Sequence, residues 1–233
     1  MRKKILPHKF VKDLKCDTEL SGHLKAVVLL GTLKRSPKLS NTLVLSEFLA
    51  KHLKAQDVST EIVRLADYKI LAGTSNDEGH GDQWPKILKK ILVADIIIFA
   101  SPIWWGNMSS LLQMAIERMD ELNNELLRTG SSPLANKAAG IVITGGEDGV
   151  QHLIGQIANF AVWNGLTLPP AASLSWLEDK GGNTRASLMK QFEKGYQKPM
   201  AALLARNLAH FARLLKRHPL KASKDAKKQN LKG

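Results

Sequence analysis

The chain has one cysteine, Cys16, among 233 residues. A single cysteine excludes an intramolecular disulfide, a multi-cysteine zinc site and a cysteine-ligated iron–sulfur cluster. It suits a reducing compartment, so we expect a cytoplasmic location and no metal. No run of about 18 apolar residues occurs, so we expect no membrane span. The basic start is not followed by a long apolar region, so we also expect no secretory signal.

Acidic residues are few at the two ends of the chain. The net charge is +13, yet residues 26–189 carry fifteen Lys/Arg against sixteen Asp/Glu. Residues 190–233 carry twelve Lys/Arg against two Asp/Glu. The favoured interpretation of this end is a mobile, solubilising tail. The alternative is a weak, salt-sensitive contact with a polyanion.

Short apolar runs rich in β-branched residues alternate with helical patterns from residue 25 onward. The runs predict strands at residues 26–30, 62–65, 95–100, 138–144 and a fifth beginning at 166–168. The periodic segments predict helices at residues 41–53, 85–93, 109–127, 149–163 and 184–216. In the last helix, capped by Asn183 or Thr184, we expect bends at Gly195 and Pro199. This alternation predicts an α/β fold with one parallel sheet between two helical layers.

The chain divides into three parts by its composition. Residues 1–24 show no periodic element and are predicted to form an N-terminal extension. Residues 25–217 are predicted to form the α/β domain. Residues 218–233 are low in apolar residues and are predicted to be a basic, disordered tail.

Ligands bind an open parallel sheet outside the carboxyl ends of its strands, which directs attention to the loops there. The loop after the first strand, GTLKRSPKLSNT at residues 31–42, has four hydroxyls and one amide, and it opens onto a helix. Exposed N–H groups and the dipole at a helix start attract anions. The loop lacks both the GxxxxGK[ST] and GxGxxG spacings, so a terminal monophosphate fits best. The alternative is a capped helix behind a solvated basic loop.

The loop after the third strand is SPIWWGNMSS, residues 101–110. Proline stiffens it, glycine permits close approach, and the two tryptophans offer flat apolar surface for a planar heterocycle. The alternative is that the indoles pack in the core or at a subunit interface, as we expect of at least one. The loop after the fourth strand has three glycines among residues 145–149, which also permit close approach or a tight turn.

At these three loops the chain resembles the NAD(P)H-dependent FMN reductase family of the flavodoxin-like superfamily, whose relatives include iron–sulfur flavoproteins and quinone reductases. The resemblance covers residues 26–173, and SPIWWGNMSSLLQMAIERMD is its more specific part. It implies a flavodoxin-like, doubly wound, five-stranded parallel sheet in three layers. The iron–sulfur relatives' cysteine motif is missing.

The resemblance implies FMN as cofactor and NAD(P)H as co-substrate. Residues implied to hold the phosphate are Thr32, Arg35, Ser36, Ser40, Asn41 and Thr42. Residues implied to line the ring and ribityl chain are Pro102, Ile103, Trp104, Trp105, Gly106, Asn107 and Met108. Residues implied to close the other side of the ring are Thr144, Gly145, Gly146 and Asp148.

The implied function is transfer of electrons from NAD(P)H through FMN to a small acceptor such as a quinone or free flavin. No protein acid or base is expected to be catalytic, because the flavin carries the chemistry. One alternative is a flavodoxin-type electron-transfer protein without its own NAD(P)H activity. Another is a non-enzymatic polyanion-binding protein. The family also implies a homodimer or homotetramer, with residues 73–82 and one tryptophan as expected contacts.

Overall fold

The computed structural model describes residues 22–146, 148–178 and 184–222. The strands are β1 (Leu24–Leu30), β2 (Val58–Arg64), β3 (Ile96–Trp104), β4 (Asn107–Met108), β5 (Ala138–Gly145) and β6 (Ser173–Leu177). The helices are α1 (Asn41–Lys54), α2 (Trp84–Val93), α3 (Ser110–Glu117), α4 (Leu122–Thr129), α5 (Val150–Trp163), α6 (Arg185–Lys194) and α7 (Gln197–Arg217). Most of the predicted N-terminal extension and tail, and the candidate cap Asn183, lie outside the described residues.

Five strands pair in parallel in the order β2-β1-β3-β5-β6, and the two-residue β4 pairs antiparallel with the end of β3. Two apolar cores lie on the opposite faces of this sheet. Helices α1, α6 and α7 cover one core, and α2, α3 and α5 cover the other. The flavodoxin-like, three-layer prediction is therefore confirmed. The strand order reverses between β1 and β3, which are neighbours although β2 separates them in sequence.

The central strands are apolar on both faces because both faces are covered. In β3, Ile96, Ile97 and Ile98 are all fully buried, and successive side chains enter opposite cores. Such strands carry continuous apolar runs rather than an alternating pattern. Among the described residues, no helix combines the length and apolar composition needed to cross a bilayer.

The position predicted for the fifth strand is wrong. Thr167 forms only an isolated parallel bridge with Ala138, and the strand runs over Ser173–Leu177 instead. Pro169 and Pro170 lie between them. Proline has no N–H to donate to the neighbouring strand, so pairing cannot continue through this segment.

The helix predicted at residues 109–127 is two helices, α3 and α4, with a turn at residues 118–121. The N–H of Glu121 donates to the Thr74 carbonyl at 3.2 Å rather than to a carbonyl one helical turn earlier. Its carboxylate also accepts from the N–H of Asn76. Tertiary bonds to the loop before α2 therefore interrupt the helix.

The helix predicted at residues 184–216 is also two helices, because α6 ends before Gly195, where only a bend was expected. Pro199 does not bend α7, because it lies within the first turn. N–H groups in the first turn of a helix have no acceptor within the helix, so a proline there costs no hydrogen bond. Thr184 caps α6 as predicted, its hydroxyl accepting from the N–H of Ser187 at 3.1 Å.

A buried ion pair fixes the loop between β2 and α2. The side chains of Arg118 and Asp82 are both fully buried and meet at 2.7 Å. Arg118 also donates to the carbonyls of Leu71 and Ser75. Burial alone would raise the pKa of Asp82, but bonds from Arg118 and from backbone N–H groups, including that of Trp84, hold it far below its usual range. Both charged groups have further hydrogen-bond partners, and the pair holds the loop against the end of α3.

We expect Arg118→Met to lower the free energy of unfolding by about 3–5 kcal/mol, because a buried carboxylate would lose its charged partner. Urea unfolding at neutral pH measures this loss. The matched control is Arg128→Met, since Arg128 pairs with Glu125 on the exposed face of α4. The control should lose far less stability. Equal losses in the two variants would contradict a special role for the buried pair.

Candidate functional site

A cleft of about 290 Å³ lies at the carboxyl edge of the sheet, beside the β1–β3 reversal. The loops after β1, β3 and β5 meet there, as their positions in a parallel sheet require. A larger groove of about 660 Å³ runs between α1 and β2, but it lies at the amino end of β2. The residues lining the cleft are Thr32, Leu33, Lys34, Ser40, Asn41, Thr42, Pro102, Trp104, Thr144, Gly145, Gly146 and Glu178.

The β1–α1 loop brings hydroxyl groups to the start of a helix. Ser40 is the N-cap of α1, and its hydroxyl accepts from the N–H of Leu43 at 3.4 Å. Ser40 therefore caps α1, and Asn41 is the first helical residue. Thr32 and Ser40 are buried, whereas Lys34 is exposed. The first N–H groups of a helix have no helical partner, so this end of the cleft suits an anion.

A hydroxyl pair joins α1 to the end of β5. Thr42 Oγ1 and Thr144 Oγ1 are 2.7 Å apart and both residues are buried. These residues are 102 positions apart in sequence, and their contact fixes the spacing of the two loops. Both line the cleft, so the same bond shapes its floor.

The SPIWWGNM segment forms a tight β-hairpin rather than an open loop. Ile103 pairs with Met108 and Trp104 pairs with Asn107, leaving Trp105 and Gly106 as the turn. Their φ angles are 50° and 74°, the left-handed values required by a two-residue hairpin turn. Such a φ is strained for tryptophan and is retained mainly where it has a use.

The turn gives the two indoles different surroundings. Trp104 is 50% exposed and lines the cleft, whereas Trp105 is 88% exposed at the hairpin tip. Neither indole lies in the core of this chain, so the core alternative is wrong for both. The cleft therefore has one flat aromatic wall, with the second indole outside it.

Close backbone contact closes the rim beside the hairpin. A Cβ on Gly149, whose φ is 134°, would lie 2.9 Å from the Cα and the carbonyl oxygen of Gly106. The loop after β5 thus packs backbone to backbone against the hairpin tip. A side chain at residue 149 would collide with the hairpin tip, which accounts for glycine at that position.

The cleft includes nine of the residues expected there, and the others lie elsewhere. Ile103 and Met108 are buried in the core, and Ser36 bonds to Asp67. The expected residues outside the cleft lining are Arg35, Ser36, Ile103, Trp105, Gly106, Asn107, Met108 and Asp148. Lining residues absent from the expected set are Leu33, Lys34 and Glu178. Leu33 and Lys34 belong to a loop already expected at the site, whereas Glu178 follows β6, the strand that was predicted at the wrong position.

The sequence profile of the NADPH-dependent FMN reductase family matches residues 24–179, from the start of β1 to just beyond β6. The chain belongs to this family. The family is one of NADPH-dependent FMN reductases, that is, of flavoprotein oxidoreductases.

Individual relatives agree with the family assignment. The 8-demethyl-8-aminoriboflavin-5'-phosphate synthase of Streptomyces davaonensis is 32% identical over 208 residues, which cover 84% of this chain and 80% of that protein. The crystal structure of RosB with bound 8-demethyl-8-formylriboflavin-5'-phosphate superposes with a TM-score of 0.74 at 30% identity. That superposition covers 89% of this chain and 86% of RosB.

A third relative is similar over only part of its length. The divalent metal cation transporter MntH of Mycobacterium bovis is 34% identical over 162 residues. These residues cover 68% of this chain but 24% of that protein. The match therefore concerns one part of a much longer protein.

The cleft of this family member suits FMN by the chemistry of its donors. On the β1–α1 side, the lining offers hydroxyls and an amide near the start of α1 and Lys34 from the preceding loop, which together are a donor set for a phosphate ester. On the β3 side, the Trp104 indole and Pro102 give apolar surface for a planar ring. Gly145 and Gly146 add backbone that a ring edge can approach closely.

We expect Thr42→Val to lower the free energy of unfolding by about 1–3 kcal/mol, because it leaves the buried Thr144 hydroxyl without a partner. The double variant Thr42→Val/Thr144→Val removes both hydroxyls and should recover most of that loss. Urea unfolding of the flavin-free protein compares the three variants with the wild type. A double variant that loses the sum of the two single losses would contradict a bonded pair.

Proposed function

We propose that the enzyme holds FMN in the cleft and passes electrons from NAD(P)H to a small acceptor such as a quinone or free flavin. The observation that carries the proposal is a phosphate-type donor set and an aromatic wall in one cleft of an FMN reductase family member. The cleft lies at the strand-order reversal, where open α/β sheets bind ligands.

At the phosphate end, the β1–α1 loop holds the anion. The hydroxyls of Thr32, Ser40 and Thr42 donate to phosphate oxygens, and the Asn41 amide adds a further donor. Lys34 supplies positive charge from the rim. Arg35 and Ser36, outside the lining, contribute charge and loop shape.

At the ring end, the hairpin and the β5 loop hold the isoalloxazine between them. Pro102 and Trp104 cover one side, while the backbone of Thr144, Gly145 and Gly146 borders the other. The hairpin segment at residues 105–108 and Asp148 shape the rim. Backbone N–H groups beside the pyrimidine edge would stabilise negative charge on the reduced ring.

When bound, FMN supplies the redox chemistry, accepting a hydride from nicotinamide and delivering electrons to the acceptor. The protein's own part is to bind, orient and shield. Direct hydride transfer needs no side-chain acid or base. The exposed rim at Trp104 and Trp105 leaves room for a flat nicotinamide or quinone to approach.

The purified protein should bind FMN, giving a flavin absorbance band that bleaches anaerobically on addition of NADPH or NADH. Trp104→Ala should weaken FMN binding about two- to twelvefold, because it removes an aromatic contact worth roughly 0.5–1.5 kcal/mol. Trp163→Ala is the matched control, since Trp163 is 76% exposed at the end of α5 and outside the cleft. Bound FMN that NAD(P)H cannot reduce would favour the flavodoxin-type alternative, and a protein that fails to bind FMN would refute the proposal.

A second candidate function is modification of a flavin 5'-phosphate as substrate. The synthase of Streptomyces davaonensis favours it, because that relative aligns with more of the chain than the family profile does. The same cleft would then release its flavin chemically changed. Mass spectrometry of the flavin after turnover separates the two: unaltered FMN supports the reductase, and an altered ring supports modification.

We propose that the enzyme is a cytoplasmic homodimer or homotetramer. Trp105 exposes a large apolar surface, and aromatic side chains are enriched at subunit interfaces. Residues 73–82 add a surface held rigid from within by Arg118. Light scattering should give a multiple of 25.7 kDa. Trp105→Gln should shift the mass toward the monomer, whereas a monomeric wild type would refute the assembly.

A further inference from the structure

The loop between β1 and α1 is held from behind by an arginine at the end of β2. Arg64 is buried, and its Nη1 donates to the carbonyl oxygens of Lys34 and Lys38 at 3.4 and 3.1 Å. These two carbonyls bracket the middle of the loop. One guanidinium therefore sets the distance between two points of an otherwise irregular segment.

A second anchor follows three residues later in the chain. Asp67 accepts from both the N–H and the hydroxyl of Ser36, at 2.9 and 2.6 Å. Desolvation would raise the pKa of Asp67, but the Ser36 bonds and the charges of Arg64 and Arg35 lower it below its ordinary value. Asp67 is therefore ionised at neutral pH and remains an acceptor.

Neither anchor lines the cleft. Arg64 and Asp67 instead border a separate cavity of about 480 Å³, together with Ser36. The carbonyl oxygens of Lys34 and Lys38 are thus engaged by a donor that lies outside the cleft. Carbonyl oxygens repel an anion, whereas N–H groups attract it. The direction in which the loop's carbonyl groups point therefore decides the affinity of the loop for phosphate.

We propose that Arg64 and Asp67 are positioning residues that set the phosphate-dependent part of FMN affinity. They act through the loop and do not touch the ligand. The inference rests on the proposed function, because it assumes a flavin phosphate at this loop. Removal of either side chain should therefore lower the affinity for FMN but not the affinity for riboflavin, which lacks the phosphate.

The test compares dissociation constants for FMN and riboflavin by fluorescence titration of the full chain. Arg64→Ala should weaken FMN about tenfold or more, while riboflavin affinity changes by less than about twofold. Arg64→Lys, which keeps one donor, should restore part of the preference for FMN. Asp67→Ala should also reduce the preference for FMN over riboflavin. Because Asp67 is exposed, this variant tests the proposal without destabilising the core.

Arg213→Ala is the matched control. Arg213 also donates to two backbone carbonyls, those of Gly22 and Gln56, but near the amino ends of the strands. It should leave the ratio of the two dissociation constants unchanged. An equal loss of FMN and riboflavin in Arg64→Ala, or an unchanged ratio in both Arg64→Ala and Asp67→Ala, would overturn the positioning role alone. A wild type that binds riboflavin as tightly as FMN would instead overturn the phosphate site itself.

Discussion

Parallel pairing of β1, β3 and β5 is the constraint on which the rest of the molecule depends. Because these strands run in one direction, their carboxyl ends lie at one edge and their three following loops must meet. No local feature of any loop brings this about. The hydroxyl contact between Thr42 and Thr144 then fixes the spacing, and it is possible only because β1 leads into α1 beside the end of β5.

The elements that could be predicted are those whose cause is local. Strands β1, β3 and β5 are buried on both faces, so their apolar runs are continuous and easily recognised. Strand β6 is short and alternates between buried and half-exposed residues, after two prolines, and was misplaced. The break between α3 and α4 depends on Glu121 bonding to a loop more than 40 residues away. A contact of that kind leaves no trace in helical periodicity.

Part of the candidate site could likewise be predicted from the sequence and part could not. Topology and composition indicated which loops form it, and nine expected residues line the cleft. Which indole faces the cleft depends on the left-handed turn at Trp105 and Gly106, which a tryptophan rarely adopts. Glu178 was not predicted to line the cleft, because β6, which it follows, was predicted at the wrong residues. Arg64 and Asp67 act through bonds to loop residues 26 and 31 positions away, which the strand pattern around them does not reveal.

The contact between Gly106 and Gly149 has a mechanical consequence. Backbone atoms touching without intervening side chains have no rotamers through which a displacement can be absorbed. The tip of the hairpin therefore cannot move toward the loop after β5 without pushing against its backbone. The contact thus sets a lower limit on the separation of these two segments beside the cleft.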